Sequence, residues 1–184
     1  MATSKSLFCL KLTLIGEAKS GKTSIVNRFF NDQFEEAYDP TFGLSPNKEL
    51  IERNGTKYGL LVWDIAGNKF WEFMIRDCFE EAHGILLIYD VTNRNSFLHV
   101  SSWGKRIEKE SKNRKTLLVV GNKCDLEKER EVSFDEGKQL ADSLDATFIE
   151  VSAQNSHNIS SLFEIIISQA IGMNKLSIFE SSLI

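Results

Sequence analysis

The stretch Gly16-Glu17-Ala18-Lys19-Ser20-Gly21-Lys22-Thr23 constrains this chain more than any other. It fits the spacing G-x-x-x-x-G-K-[ST], which builds a loop for phosphate groups. Gly16 and Gly21 are free to take backbone angles that turn successive N–H groups inward without a Cβ penalty. Those N–H groups make an anion nest, reinforced by the positive end of the helix that follows. Lys22 adds a flexible point charge for the terminal phosphates, and the Thr23 hydroxyl is a hard oxygen ligand suited to Mg²⁺. The flanks agree with this reading. Phe8–Ile15 reads as a mostly apolar strand entering the loop, and Ile25, Val26, Phe29 and Phe30 follow it at helical spacing. An ordinary glycine-containing turn is the plainer alternative, but it does not require a strand before and a helix after.

With 184 residues the chain suits one domain with a substantial core. Hydrophobic residues at 42% and charged residues at 26% exclude wholesale disorder. A net charge of −4 argues against a nucleic-acid partner, which usually meets a basic face. Cys9, Cys78 and Cys124 are odd in number and spaced as neither a disulfide framework nor a zinc site. That points to a reducing compartment, with Cys9 in a strand core. No apolar run approaches the ~20 residues needed to span a bilayer. Lys11 interrupts the short apolar stretch near the N-terminus, so no signal-peptide pattern forms. The last residues, Phe179–Ile184, contain no cysteine, so no direct lipid anchor is expected on this chain.

Beyond the first helix, residues 31–46 show little periodicity and read as a long loop, which in a compact domain is usually functional. Asn54-Gly55 between Leu50–Arg53 and Lys57–Trp63 is a hairpin signal for two antiparallel strands. The second ends in Asp64-Ile65-Ala66-Gly67. There Asp64 reads either as a Mg²⁺ partner facing the phosphate loop or as a strand-end turn residue. Residues 68–83 crowd Phe70, Trp71, Phe73, Met74 and Ile75 among charges. They read either as an irregular helix on the sheet or as an apolar surface for partners. Gly84–Asp90 is a buried strand, followed by a helix to about Ser111 with Phe97, Val100, Trp103 and Ile107 on its core face. Thr116–Val120 is another strand, leading into Gly121–Asp125. Lys128–Glu131 reads as a charged, solvated loop. Ser133 and Glu136 form a capping box for a helix to about Leu144, and Thr147–Val151 precedes Ser152-Ala153-Gln154. A last helix carries Ile159, Leu162, Phe163, Ile166 and Ala170 on one face. This alternation predicts an α/β fold: a doubly wound, mostly parallel six-stranded sheet with one antiparallel edge hairpin and helices on both faces. Ligands of such sheets sit at the carboxyl ends of the strands, where the loops above gather.

Five of these loops in this order resemble the small GTPases of the Ras superfamily over roughly residues 7–172. They are Gly16–Thr23, Tyr38–Thr41, Asp64–Gly67, Asn122–Asp125 and Ser152–Gln154. Ala82-His83-Gly84-Ile85, Tyr89-Asp90-Val91-Thr92, Ser96-Phe97 and Trp103 are most similar to the Rab branch. The resemblance implies a P-loop GTPase domain over residues 1–172, with 173–184 as an extension or linker. It implies GTP and GDP as ligands and Mg²⁺ as cofactor. The nucleotide-binding residues it implies are Gly16, Glu17, Ala18, Lys19, Ser20, Gly21, Lys22, Thr23 and Ser24 at the phosphates. Tyr38, Thr41 and Gly67 join them at the switch loops, and Phe34 covers the base. Asn122, Lys123, Asp125, Ser152, Ala153 and Gln154 form the base pocket. Thr23, Thr41 and Asp64 are the implied metal set; Lys22, Gly67 and Asn68 are the implied catalytic set. Asp125 suits the role chemically, because an ionised carboxylate accepts from both N1–H and N2–H₂ of guanine and adenine has no such donor pair.

The departures from the family pattern are specific. Asn68 stands at the water-positioning glutamine, one methylene shorter, which predicts slow hydrolysis. Ala18 replaces a glycine or serine of the phosphate loop and crowds the approach of an arginine finger. Ile65 stands where threonine is usual, Gln154 where lysine is usual, and residues 69–81 differ widely from the Rab pattern. The expectation is a Rab-like switch in vesicle trafficking, cytoplasmic, reaching membranes through partners. An exchange factor, an activating protein and effectors are expected at residues 35–46 and 66–83. The alternatives are a nucleotide-locked scaffold without useful catalysis, a fragment of a larger multidomain GTPase, and a small-molecule kinase, which the guanine-reading loop disfavours.

Overall fold

A computed structural model describes residues 7–37, 39–41, 43–67, 72–111, 115–173 and 177–179, with backbone alone for 7, 72–76 and 177–179. Strand β1 (Leu7–Ile15) lies in the middle of the sheet and leads into helix α1 (Lys22–Asn31). The hairpin β2 (Leu44–Arg53) and β3 (Thr56–Ile65) turns over Asn54-Gly55. Then come α2 (Glu72–Glu81), β4 (Gly84–Asp90), α3 (Arg94–Glu110), β5 (Thr116–Asn122), α4 (Phe134–Ser143), β6 (Thr147–Glu150) and α5 (Ile159–Gly172). The order across the sheet is β2-β3-β1-β4-β5-β6, parallel except for β2 against β3. This is the doubly wound sheet expected from the alternation of strands and helices.

The central strands are buried on both faces, and their side chains alternate between two cores with period two. Leu86 and Ile88 of β4 and Leu118 and Val120 of β5 pack toward Phe163 and Ile166 of α5 and Ile25 and Val26 of α1. Ile85, Leu87 and Tyr89 face the other way, with Leu117 and Val119, toward Phe79 of α2, Trp103 of α3 and Leu140 of α4. Where α2 crosses β1, the Thr13 hydroxyl donates to the Cys78 carbonyl at 3.3 Å. That end of α2 packs on the sheet; Phe70 and Trp71 lie outside the described residues. Cys9 is buried as expected, and all three cysteines are free thiols.

Three expectations need correction. The loop after α1 is shorter than 31–46, because β2 already begins at Leu44, where it pairs with Ile65. Pro46 is tolerated inside β2 because β2 is an edge strand and a missing N–H costs no ladder bond on its outer side. The stretch Lys128–Glu131 is not simply solvated. Arg130 is mostly buried and forks onto the Glu150 carboxylate at 2.7 and 3.0 Å, tying the loop before α4 to β6. Finally, strand β7 (Ser177–Phe179), beyond the last expected helix, pairs antiparallel with Leu7–Cys9 of β1. It fills the flank of β1 that β4 leaves open, since β4 begins only opposite Leu12.

Helix ends follow local chemistry. The Ser133–Glu136 capping box is complete, with the Ser133 hydroxyl accepting from Glu136 N–H and the Glu136 carboxylate accepting from Ser133 N–H. Asn93 caps α3 by accepting from Ser96 N–H at 3.1 Å. Among the described residues no helix is long and apolar enough to cross a membrane.

Candidate functional site

The phosphate loop joins β1 to α1 at the carboxyl edge of the sheet, and its two framing glycines are needed for different reasons. Gly21 has φ 87 and caps α1 in the left-handed region, as expected. Gly16 does not have a positive φ; among the described residues of the loop it is Lys19, at φ 67, that shares the left-handed conformation with Gly21. Gly16 is instead required by close approach, since a Cβ there would lie 2.2 Å from the Ile88 carbonyl oxygen of β4. Backbone freedom thus accounts for Gly21, as expected, but not for Gly16, which close packing against β4 requires.

Lys22 folds back over the loop, its ammonium donating to the Gly16 carbonyl at 3.0 Å and the Glu17 carbonyl at 2.8 Å. Burial brings its pKa down to about 8, although Asp64 and Glu17 oppose the shift. A polyphosphate arriving here would restore full charge to this lysine. The Gly67 carbonyl accepts from Ala18 N–H at 2.9 Å, which sets the end of the β3 loop directly on the phosphate loop.

Three oxygens meet beside Lys22. The Thr23 hydroxyl donates to Asp64 Oδ2 at 2.6 Å and lies 2.9 Å from the Thr41 hydroxyl. Asp64 is 1% exposed, and its other oxygen, Oδ1, is buried with no hydrogen-bond partner among the described residues. Burial raises the Asp64 pKa, against the Thr23 hydrogen bond and the Lys22 charge. A buried carboxylate with an orphaned oxygen beside two hydroxyls fits Mg²⁺, a hard cation that takes its remaining ligands from phosphate and water. No cluster of three or more His, Cys, Asp or Glu is placed to hold a metal among the described residues. Two hydroxyls and one carboxylate leave most of an octahedral shell to other oxygens, which suits an ion bound together with phosphates.

At the other end of the site, Asn122 closes β5 and joins two loops. Its amide N–H donates to the Ser20 carbonyl at 2.9 Å, and its amide oxygen accepts from Ala153 N–H at 3.3 Å. Lys123, at φ 64, reaches the Asp90 carboxylate at 2.5 Å. Asp90 in turn accepts from the Thr92 N–H and hydroxyl. The Ser152 hydroxyl accepts from Asn155 N–H and holds the turn that presents Ala153 and Gln154.

A cavity of about 510 Å³ runs between these ends. Ala18, Lys19, Gly21, Lys22, Thr23 and Ser24 line its phosphate side; Phe34, Asn122, Lys123, Asp125, Ala153 and Gln154 line its base side. Thr41 and Gly67 border it between. Gly16, Glu17, Ser20, Asp64 and Ser152 support it from behind through the bonds just given. Tyr38 and Asn68 lie outside the described residues. Sequence reasoning missed two supports: Arg28, which donates to the Ala153 and Gln154 carbonyls, and Asp90, which holds Lys123. The signal for Arg28 was a cation set among Ile25, Val26, Phe29 and Phe30 on one short helix. Asp90 ends a buried strand on the ligand-bearing edge, as Asp64 does.

Comparison with known proteins agrees with this geometry. Residues 11–172 match the family model described as Ras family. The GTP-binding protein ypt2 of Schizosaccharomyces pombe is 36% identical over 163 residues, covering 89% of this chain and 82% of that protein. The Ras-related protein Rab-3A of Homo sapiens is 38% identical over 157 residues, covering 85% of this chain and 71% of that protein. The Ras-related protein RIC1 of Oryza sativa is 36% identical over 156 residues, with 85% and 77% covered.

Proposed function

The chain belongs to the Ras family and acts as a Rab-like switch that binds GTP and hydrolyses it to GDP; we propose that the cavity beside α1 is where it does both. The observation that carries this reading is the pair of hydrogen bonds by which the Asn122 amide donates to the Ser20 carbonyl and accepts from Ala153 N–H, which makes one site of a phosphate end and a base end.

Residues Gly16–Ser24 would hold the phosphates, with backbone N–H groups as the nest and Lys22 on the terminal phosphates. Thr23, Thr41 and Asp64 would hold Mg²⁺, which when bound neutralises developing phosphate charge. Asp125 would read guanine N1–H and N2–H₂, and Ala153 N–H, held by Asn122 only at 3.3 Å, is offered to guanine O6. Lys123, Ser152 and Gln154 would flank the base, with Phe34 over it and Tyr38 in the loop that brings Thr41 in. Water attacks the γ-phosphorus, the bond to the bridging β-oxygen breaks, and GDP and phosphate leave. Asn68 would orient that water from one methylene too far, and Gly67 N–H would meet the γ-phosphate. Loss of that phosphate releases Thr41 and Gly67 together, which is the switch.

Residues 35–46 and 66–83 would then be the surface for an exchange factor, an activating protein and effectors in vesicle traffic. The chain would work in the cytoplasm and at membranes through those partners. Residues 1–172 would form the GTPase domain, with 173–184 as its extension.

The test is single-turnover GTP hydrolysis by the purified chain with Mg²⁺, beside Asn68→Gln. A slow wild type accelerated by glutamine is expected. Equal rates would place water positioning on another residue, and a nanomolar preference for ATP over GTP would overturn the nucleotide assignment.

A further inference from the structure

Arg28 sits in the last turn of α1, the helix whose first turn carries Lys22 and Thr23. Its side chain is only 14% exposed although it is a cation near the surface. The guanidinium is divided between two places. Nε donates to the Ala153 carbonyl at 2.9 Å and Nη2 to the Gln154 carbonyl at 3.0 Å. Nη1 donates to the Asp32 carbonyl at 2.9 Å and the Asp32 carboxylate at 3.0 Å. Its carbon lies 6.0 Å from the centre of the Phe34 ring. One planar group thus touches the loop that presents Ala153, the end of α1 and the aromatic at the base side of the cavity.

We propose that Arg28 is a positioning residue that fixes the base-reading loop and Phe34 to the far end of the phosphate helix and so sets how long the nucleotide stays bound. This rests on the guanine-nucleotide reading above. The Ala153 residue is held from both sides, its N–H by Asn122 and its carbonyl by Arg28. Without Arg28, two adjacent carbonyls of that loop lose their donor; the loop keeps its internal bonds at Ser152, but the long Asn122 bond is then its remaining tie to the phosphate loop. The packing of α5 behind it is itself tied to α1, since Phe29 stacks on Phe163 with ring centres 3.8 Å apart. Helix α1 therefore grips the ligand at both ends, phosphates at its N-terminus and base loop through Arg28. Lysine cannot replace it, because a single ammonium lacks the planar fork that reaches the loop and Asp32 together. The bonds that act on chemistry, at Thr23, Thr41 and Gly67, lie at the opposite end of the helix and do not pass through Arg28.

The experiment measures release of fluorescent GDP and single-turnover hydrolysis of bound GTP for wild type, Arg28→Met and Arg28→Lys. Release should quicken roughly tenfold or more in both variants, with Lys intermediate at best. The hydrolysis rate of nucleotide still bound should change less than twofold. Asp32→Ala, which removes only the carboxylate bond of Nη1 and leaves its bond to the residue 32 carbonyl and both loop carbonyls satisfied, should release GDP less than threefold faster. Release within twofold of wild type in folded Arg28→Lys overturns the proposal. So does a parallel loss of retention and hydrolysis accompanied by a fall in Tm, which would mark general destabilisation. If Arg28→Met does not fold, Arg28→Lys decides alone. A wild type that retains no guanine nucleotide would instead overturn the functional reading itself.

Discussion

Gly21 and Asn122 are pressed together at the centre of the site: a Cβ on Gly21 would lie 2.1 Å from Asn122 Nδ2. That nitrogen is the one that donates to the Ser20 carbonyl, so the contact is part of the joint between the phosphate loop and the base loop.

Gly21→Ala should therefore weaken GDP binding by about tenfold or more while leaving the sheet folded. A side chain at φ 87 costs about 1–2 kcal/mol, and the displaced amide loses its bonds as well. Titration with fluorescent GDP checks this; unchanged affinity would mean that Asn122 can move aside freely.

Asp64→Asn keeps an oxygen acceptor for Thr23 but removes the charge. Nucleotide retention should then need roughly 10–100-fold more Mg²⁺. Chelating Mg²⁺ should speed GDP release from wild type much more than from the variant. Equal sensitivity in both would remove Asp64 from the metal site.

Glu136 contributes one pH dependence of stability. Its hydrogen bond to Arg94, then the Ser133 bonds, bring its pKa down to about 2. A carboxylate depressed on folding contributes stability above its unfolded pKa, and that contribution is lost as pH falls through the folded value. Glu136→Gln should thus be less stable than wild type at pH 7. The gap should narrow between about pH 4.5 and pH 2, which denaturant titrations across that range would show.

Tyr89 carries a buried hydroxyl with no hydrogen-bond partner among the described residues. A Cβ on Gly137 would come within 2.4 Å of it and 2.5 Å of the Phe148 ring. Gly137→Ala should cost about 1–3 kcal/mol despite the better helix propensity of alanine. Tyr89→Phe should be neutral or stabilising, and it should reduce the cost of Gly137→Ala in a double-mutant cycle by urea unfolding.

The sequence by itself determined what depends on near neighbours along the chain. The phosphate loop, the strand–helix alternation, the Asn54-Gly55 hairpin and the Ser133–Glu136 capping box were all legible, because turn chemistry, caps and periodicity act over a few residues. The runs Asp64–Gly67, Asn122–Asp125 and Ser152–Gln154, proposed for the metal and the base, were legible as short motifs where β3, β5 and β6 end. What only the tertiary structure decided was which distant group each residue meets. Gly16 is a glycine because the Ile88 carbonyl passes beside it. Strand β2 extends back to Leu44 because β3 runs on to Ile65 as its partner. Arg28 looks like a solvated helix cation until the fold brings Ala153, 125 residues away, to its Nε. Lys123 likewise finds Asp90 only across the edge of two parallel strands. Local pattern sets which elements form; close packing and the need to satisfy buried polar groups set which side chains those elements bring together.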